Sequence, residues 1–134
     1  MILEPAWIEI HQVIALNRGA VSVTGESHAV LNTGSLESAV MAPRQLFFYD
    51  REGDVGVLAC KLIVALCRAH AFEQGNKRTA WLSGVMFLNI NGYDIQLNSR
   101  EDNIFIAEQI NNVITRQLTE AEFLSKLDPF IVPR

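Results

Sequence analysis

The chain has 134 residues, a length that suits one domain with a core of its own. Apolar residues make up 49% and charged residues 19%, which excludes an intrinsically disordered polymer. The 11 Lys and Arg against 15 Asp and Glu leave a net charge of −4, so no direct nucleic-acid binding through a generic basic surface is expected, while a local basic site stays open.

In chain order, Trp7, Ile8, Ile10, Val13, Ile14 and Leu16 space an amphipathic helix over 5–17, with Pro5 in its first turn. Residues 18–34, with Gly19, Gly25 and Gly34, read as a long surface loop, and 35–42 as a short helix stopped near Pro43. Leu46-Phe47-Phe48-Tyr49 forms an apolar knot before a turn at Glu52-Gly53-Asp54; its aromatics are expected in the core with Trp7 and Trp81. Residues 55–69 and 77–91 are apolar on nearly every side, the mark of buried helices. Asp54 is placed to cap the first, and Asn91-Gly92 suits a left-handed step after the second. Tyr93 to Leu97 alternates like a brief strand or extended connector. Ser99 with Asp102 introduces a helix at 100–117, and Thr119 with Glu122 forms a capping box for a last helix to about Leu127. Pro129 and Pro133 mark a tail at 128–134. The sum is an all-α domain, 1–134, of about six helices around two central buried ones.

Cys60 and Cys67 lie seven apart on one expected helix, roughly 10 Å between Cα atoms, too far for a disulfide. They read as core thiols in a reducing cytoplasm. The N-terminus lacks a basic-then-apolar leader, and no run of about 20 apolar residues would span a membrane. His11, beside an apolar stripe, and His28, in a polar loop, read as ordinary packing or solvated residues.

The segment His70-Ala-Phe-Glu-Gln-Gly-Asn-Lys-Arg78 between the two buried helices is unlike a plain turn. Lys77 and Arg78 fall in the first turn of a helix, where cations oppose the helix dipole at about 0.3–1 kcal/mol each. The placement makes sense if an anion sits there. Backbone N–H groups point out of a helix start, Gly75 lets the chain approach a phosphate, and Asn76 can cap the helix or donate an amide hydrogen. His70, at the end of the preceding helix, carries the side chain best suited to exchange a proton near neutral pH.

This string resembles the motif of the Fic/Doc superfamily, His-x-Phe-x-(Asp/Glu)-(Gly/Ala)-Asn-(Gly/Lys)-Arg, through His70, Phe72, Gly75, Asn76, Lys77 and Arg78. Gly34-Ser-Leu-Glu-Ser-Ala39, Pro43-Arg44 and Phe87-Leu88 leading to Asn91-Gly92 are similar to the death-on-curing (Doc) branch. Lys77 in place of Gly, and Trp81 in place of a second Arg, are likewise Doc-like.

The resemblance implies an all-α fold and a protein Ser/Thr kinase-type toxin of a toxin–antitoxin pair. Such a toxin passes the γ-phosphate of ATP to a Thr of translation elongation factor Tu, arrests translation, and is blocked by a Phd-type antitoxin. Carried over by position, His70 is the general base, Gly75, Asn76, Lys77 and Arg78 hold the phosphates, and Phe72 anchors the loop in the core. The family's Mg²⁺-holding acid falls on Gln74, a neutral and weaker ligand. Two other readings stay open: transfer of AMP to a protein hydroxyl, and a catalytically impaired binding module.

Overall fold

The computed structural model describes residues 3–134. It contains α1 (Ile10–Thr24), α2 (Thr33–Asp50), α3 (Val55–Ala69), α4 (Asn76–Ile90), β1 (Tyr93–Ile95), α5 (Arg100–Ile114), α6 (Glu120–Leu127), a 3-10 turn (Asp128–Phe130) and β2 (Ile131–Pro133). Helices dominate, as the periodicity predicts, and α3 with α4 is the most extensively packed pair. α2 covers α3 on one side, α1 lies on α4, and α5 and α6 close α3 from the other side.

α3 buries Leu58, Ala59, Cys60, Leu62, Ile63, Val64, Leu66 and Cys67, which explains its lack of a polar face. Asp54 caps it, its Oδ1 accepting from Gly56 N at 2.8 Å and Val57 N at 3.3 Å. Both cysteines are buried and unpaired; burial pushes the Cys60 thiol up to about 12 and Cys67 up to about 11. The α3–α4 crossing is close. A Cβ on Gly84 of α4 would stand 2.5 Å from Cγ1 and Cδ1 of Ile63.

The first third of the chain departs from the expected boundaries. Residues 3–9 form no helix, and Asn91 pins them, accepting from Ala6 N at 2.8 Å and donating to Ala6 O at 2.9 Å. α1 begins only at Ile10 and runs through Gly19, converting much of the expected loop into helix. It ends at Gly25 (φ 73°), where Gly25 N donates to Ser22 O and Glu26 N to Val21 O, the paired bonds of a left-handed helix stop. α2 likewise passes Pro43. A proline inside a helix forfeits one hydrogen bond and costs about 3 kcal/mol. Burial of Leu36, Ala39, Val40 and Pro43 against the rest of the fold outweighs it.

Continuing α2 to Asp50 also decides the aromatic knot. Leu36, Val40, Pro43 and Phe47 share its inward face, whereas Phe48 and Tyr49 turn outward and are 56% and 82% exposed, contrary to their expected core placement. Trp7 does pack, stacked on Phe87 at 5.9 Å and edge-on to Phe47 at 5.8 Å.

After α4 the chain steps through Gly92 (φ 92°) into β1. The expected tail, 128–134, is ordered: β2 pairs antiparallel with β1, Ile131 opposite Ile95 and Pro133 opposite Tyr93. α5 stops at Ile114, three residues before the expected end, and Arg116 (φ 64°) turns the chain toward α6. Thr119 and Glu122 form the expected capping box. Among the described residues no helix is long and apolar enough to cross a membrane.

Because Gly84 sets the distance between the two central helices, Gly84→Ala is expected to lose about 1–3 kcal/mol of stability in urea unfolding through overpacking against Ile63. An unchanged midpoint would mean that Ile63 yields freely.

Candidate functional site

The α3–α4 loop, residues 70–75, is held from three directions. His70 ends α3 in the left-handed conformation (φ 47°, ψ 45°). The loop then pairs with the segment joining α1 to α2, which we term the flap. Leu31 N and Asn32 N donate to Ala71 O at 2.7 and 3.2 Å, Glu73 N donates to Ala29 O at 3.0 Å, and Val30 bridges Phe72. Phe72 is buried in the core, the anchoring role expected of it.

Asn76 closes the loop on itself. Its Oδ1 accepts from Phe72 N at 3.0 Å and its Nδ2 donates to Phe72 O at 2.8 Å. The side chain is thus engaged with backbone inside the protein, and what Asn76 leaves free is its own N–H. Among the described residues the N–H groups of Asn76, Lys77 and Arg78 find no acceptor, as at any helix start. Gly75 precedes them at φ 74°, and a Cβ there would also stand 3.0 Å from Val21 Cγ1. Both features favour glycine at this position.

A cavity of about 360 Å³ opens over this turn, lined by His70, Glu73, Gln74, Gly75, Asn76, Lys77, Arg78 and Glu26. Every sequence-predicted site residue therefore borders one space. The His70 ring is exposed and hydrogen-bonds no protein group among the described residues. The two cations diverge: Lys77 Nζ donates to Asn111 Oδ1 on α5, while Arg78 reaches back to α1. There Arg78 Nη1 donates to Ala20 O at 3.1 Å, and Nη2 pairs with the Glu26 carboxylate. The Thr24 hydroxyl and the Arg78 guanidinium hold the Glu26 carboxyl below the usual carboxylate range. The pair is therefore intact at neutral pH and is lost only as the pH falls through that lowered value.

Gln74 does not project a free ligand into the cavity. Its Oε1 accepts from Ser27 N at 3.3 Å, and its carbonyl accepts from Asn17 Nδ2 at 2.8 Å. Glu73, one residue earlier, lines the cavity and is exposed. Among the described residues no three His, Cys, Asp or Glu side chains converge as a metal site. A second cavity, of about 260 Å³, shares Lys77 and Arg78 and continues between α4 and α5 past Trp81, Ile106 and Ile110.

Nothing local in the sequence ties Asn17, Glu26 and Asn111 to the motif; each meets it only through the tertiary fold. His28, expected to be an ordinary loop residue, is bonded to Asn17.

Comparison with known proteins agrees with this architecture. The model of the Fic/DOC family matches residues 4–88, from the segment before α1 to near the end of α4. Toxin Doc of Mycolicibacterium smegmatis is 36% identical over 105 residues, 75% of this chain and 76% of that protein. Protein kinase doc of Escherichia phage P1 is 28% identical over 88 residues, 66% of this chain and 70% of that protein. The chain belongs to the Fic/DOC family, within its Doc branch.

Two outcomes follow. Asn76→Ala strands the buried backbone groups of Phe72 and should cost about 1–3 kcal/mol in urea unfolding, against under about 1 kcal/mol for Lys77→Ala, whose partner is exposed. Glu26→Gln frees Arg78, so calorimetry should show inorganic pyrophosphate binding a few-fold more tightly than to the parent; equal affinity would remove Glu26 as a competitor.

Proposed function

We propose that this chain is a Doc-type toxin that transfers the γ-phosphate of ATP to a Thr hydroxyl of translation elongation factor Tu, in a cytoplasm where a Phd-type antitoxin restrains it. The observation that carries this reading is that one cavity is bordered by the His70 ring and by a helix start with two cations, the ring and three N–H groups being without a partner among the described residues. The relative that bears the name protein kinase doc supports the reaction class.

In this reading His70 accepts the proton of the attacking hydroxyl. The hydroxyl oxygen bonds to the γ-phosphorus, the bond to the β–γ bridging oxygen breaks, and ADP leaves. Such transfers depend on positioning and charge neutralisation more than on covalent chemistry. The amides of Asn76, Lys77 and Arg78 and the two cationic side chains meet that demand. The Trp81-walled cavity against the same cations gives an apolar space beside the phosphates that fits a nucleobase.

Mg²⁺ supplies further charge neutralisation when bound. On this chain Glu73 is the carboxylate left for it, since Glu26 is paired with Arg78, and phosphate and water oxygens would complete its shell. The engagement of Gln74 with Ser27 favours a second reading, a binding module with weakened chemistry.

One experiment separates these. The purified chain, with Mg²⁺ and ATP labelled at either the γ- or the α-phosphate, is offered elongation factor Tu. Label from the γ-position alone is expected, and His70→Ala should reduce it about 10²–10⁴-fold while leaving the fold intact. Label from the α-position would mean AMP transfer instead. No label from the parent but strong label from Gln74→Asp would establish the impaired module.

A further inference from the structure

The buried face of α1 has a polar residue at its centre. Val13, Asn17 and Val21 recur at intervals of four and are all buried, Asn17 completely. Packing alone would be served by an aliphatic side chain there. A buried amide is costly unless each of its groups is paired, and a fully paired one fixes geometry that apolar contacts leave loose.

Asn17 is fully paired, to three different segments. Its Nδ2 donates to Gln74 O at 2.8 Å in the α3–α4 loop and to Thr79 Oγ1 at 3.0 Å on α4. Its Oδ1 lies 2.7 Å from His28 Nδ1 in the flap. A backbone carbonyl only accepts, which places the amide nitrogen on the Gln74 side. The oxygen then faces His28, so Nδ1 is the ring nitrogen that carries the hydrogen. The His28 ring also leans on Phe72, with centroids 6.2 Å apart.

The bond to Gln74 has a directional consequence. In a trans peptide the carbonyl and the following N–H point opposite ways. Drawing Gln74 O toward α1 therefore turns the Gly75 N–H to the other side of the loop, where it has no protein acceptor among the described residues. The same amide sets the room at Gly75, since a Cβ there would lie 3.4 Å from Asn17 Nδ2.

We propose that Asn17 and His28 are positioning residues of this site: through the Gln74–Gly75 peptide and the flap they hold the phosphate-binding turn in its binding geometry. Neither lines the cavity, so neither is assigned contact with substrate. The inference rests on the reading of that turn as the holder of transferred phosphate.

Variants of Asn17 risk unfolding the core, so the test turns on His28. His28→Ala removes the donor, and His28→Asn returns an N–H at the place of Nδ1. The expected result for His28→Ala is a fall in kcat of roughly ten- to a hundredfold, with KM for ATP within about threefold and a thermal midpoint that, although lowered by the unpaired Asn17 Oδ1, still leaves the chain folded at the assay temperature. His28→Asn should regain most of the rate. Unchanged kcat in His28→Ala, a loss that only tracks the unfolded fraction, or no recovery in His28→Asn overturns the proposal. If the parent transfers no phosphate, the proposed function fails by itself and amide hydrogen exchange decides this inference. The flap-to-loop amides of Leu31, Asn32 and Glu73 should exchange about tenfold faster in His28→Ala and return toward the parent in His28→Asn. Exchange equal to the parent's in His28→Ala overturns it.

Discussion

The whole site hangs on one reciprocal contact, the amide of Asn76 giving and taking hydrogen bonds with the backbone of Phe72. It is buried, so neither Phe72 group can turn to water instead, and the loop must close at one size. That closure seats Phe72 in the core, sets His70 at the end of α3, and starts α4 with its first N–H groups lacking an acceptor among the described residues. The left-handed residues His70 and Gly75 bracket the loop because a tight reversal between two packed helices demands them. Gly84 matters for a related reason: with Ile63 against its backbone, it keeps α3 and α4 near enough for so short a connection to span them.

Charge is arranged around the same turn. Two cations at a helix start work against the helix dipole, and each is given a local partner: Lys77 the neutral amide of Asn111, Arg78 the carboxylate of Glu26. The two are not equivalent. A phosphate entering here would displace only a neutral acceptor from Lys77, but would compete with a charged one for Arg78. The acidic balance of the whole chain is therefore no obstacle to an anion here, because the relevant charge is local and already half committed.

What was legible in the sequence follows the reach of each interaction. α3, α4, the capping box at Thr119 and the loop motif rest on short-range periodicity, capping and spacing, and they stand where the sequence puts them. α1 and α2 were cut short because Gly19 and Pro43 are poor helix residues, and only burial against α3 and α4 overrides that preference. Ending α1 at 17 also hid the stripe Val13–Asn17–Val21, whose buried amide is visible only once the helix continues. Segment 128–134 reads as a tail because two prolines resist regular structure; Pro129 sits in the first turn of the 3-10 segment and Pro133 takes the end of a short strand, where fewer backbone N–H groups are needed.

Gln74 shows how one uncharged substitution redistributes roles in such a site. Its side-chain oxygen holds Ser27 N, so the position serves the flap, while its carbonyl serves Asn17. An acid there would add a negative charge beside Glu26 and Glu73, drawing a divalent cation but repelling phosphate in its absence. With Gln74 neutral, a phosphate in the cavity would meet backbone amides and Lys77, with Arg78 shared with Glu26, against Glu73, the one lining carboxylate without a partner among the described residues. Anion binding there would lean less on a metal and more on the orientation of the loop peptides. In such a site the Asn17 amide, which sets that orientation at Gln74–Gly75, gains importance as the carboxylate at position 74 loses it.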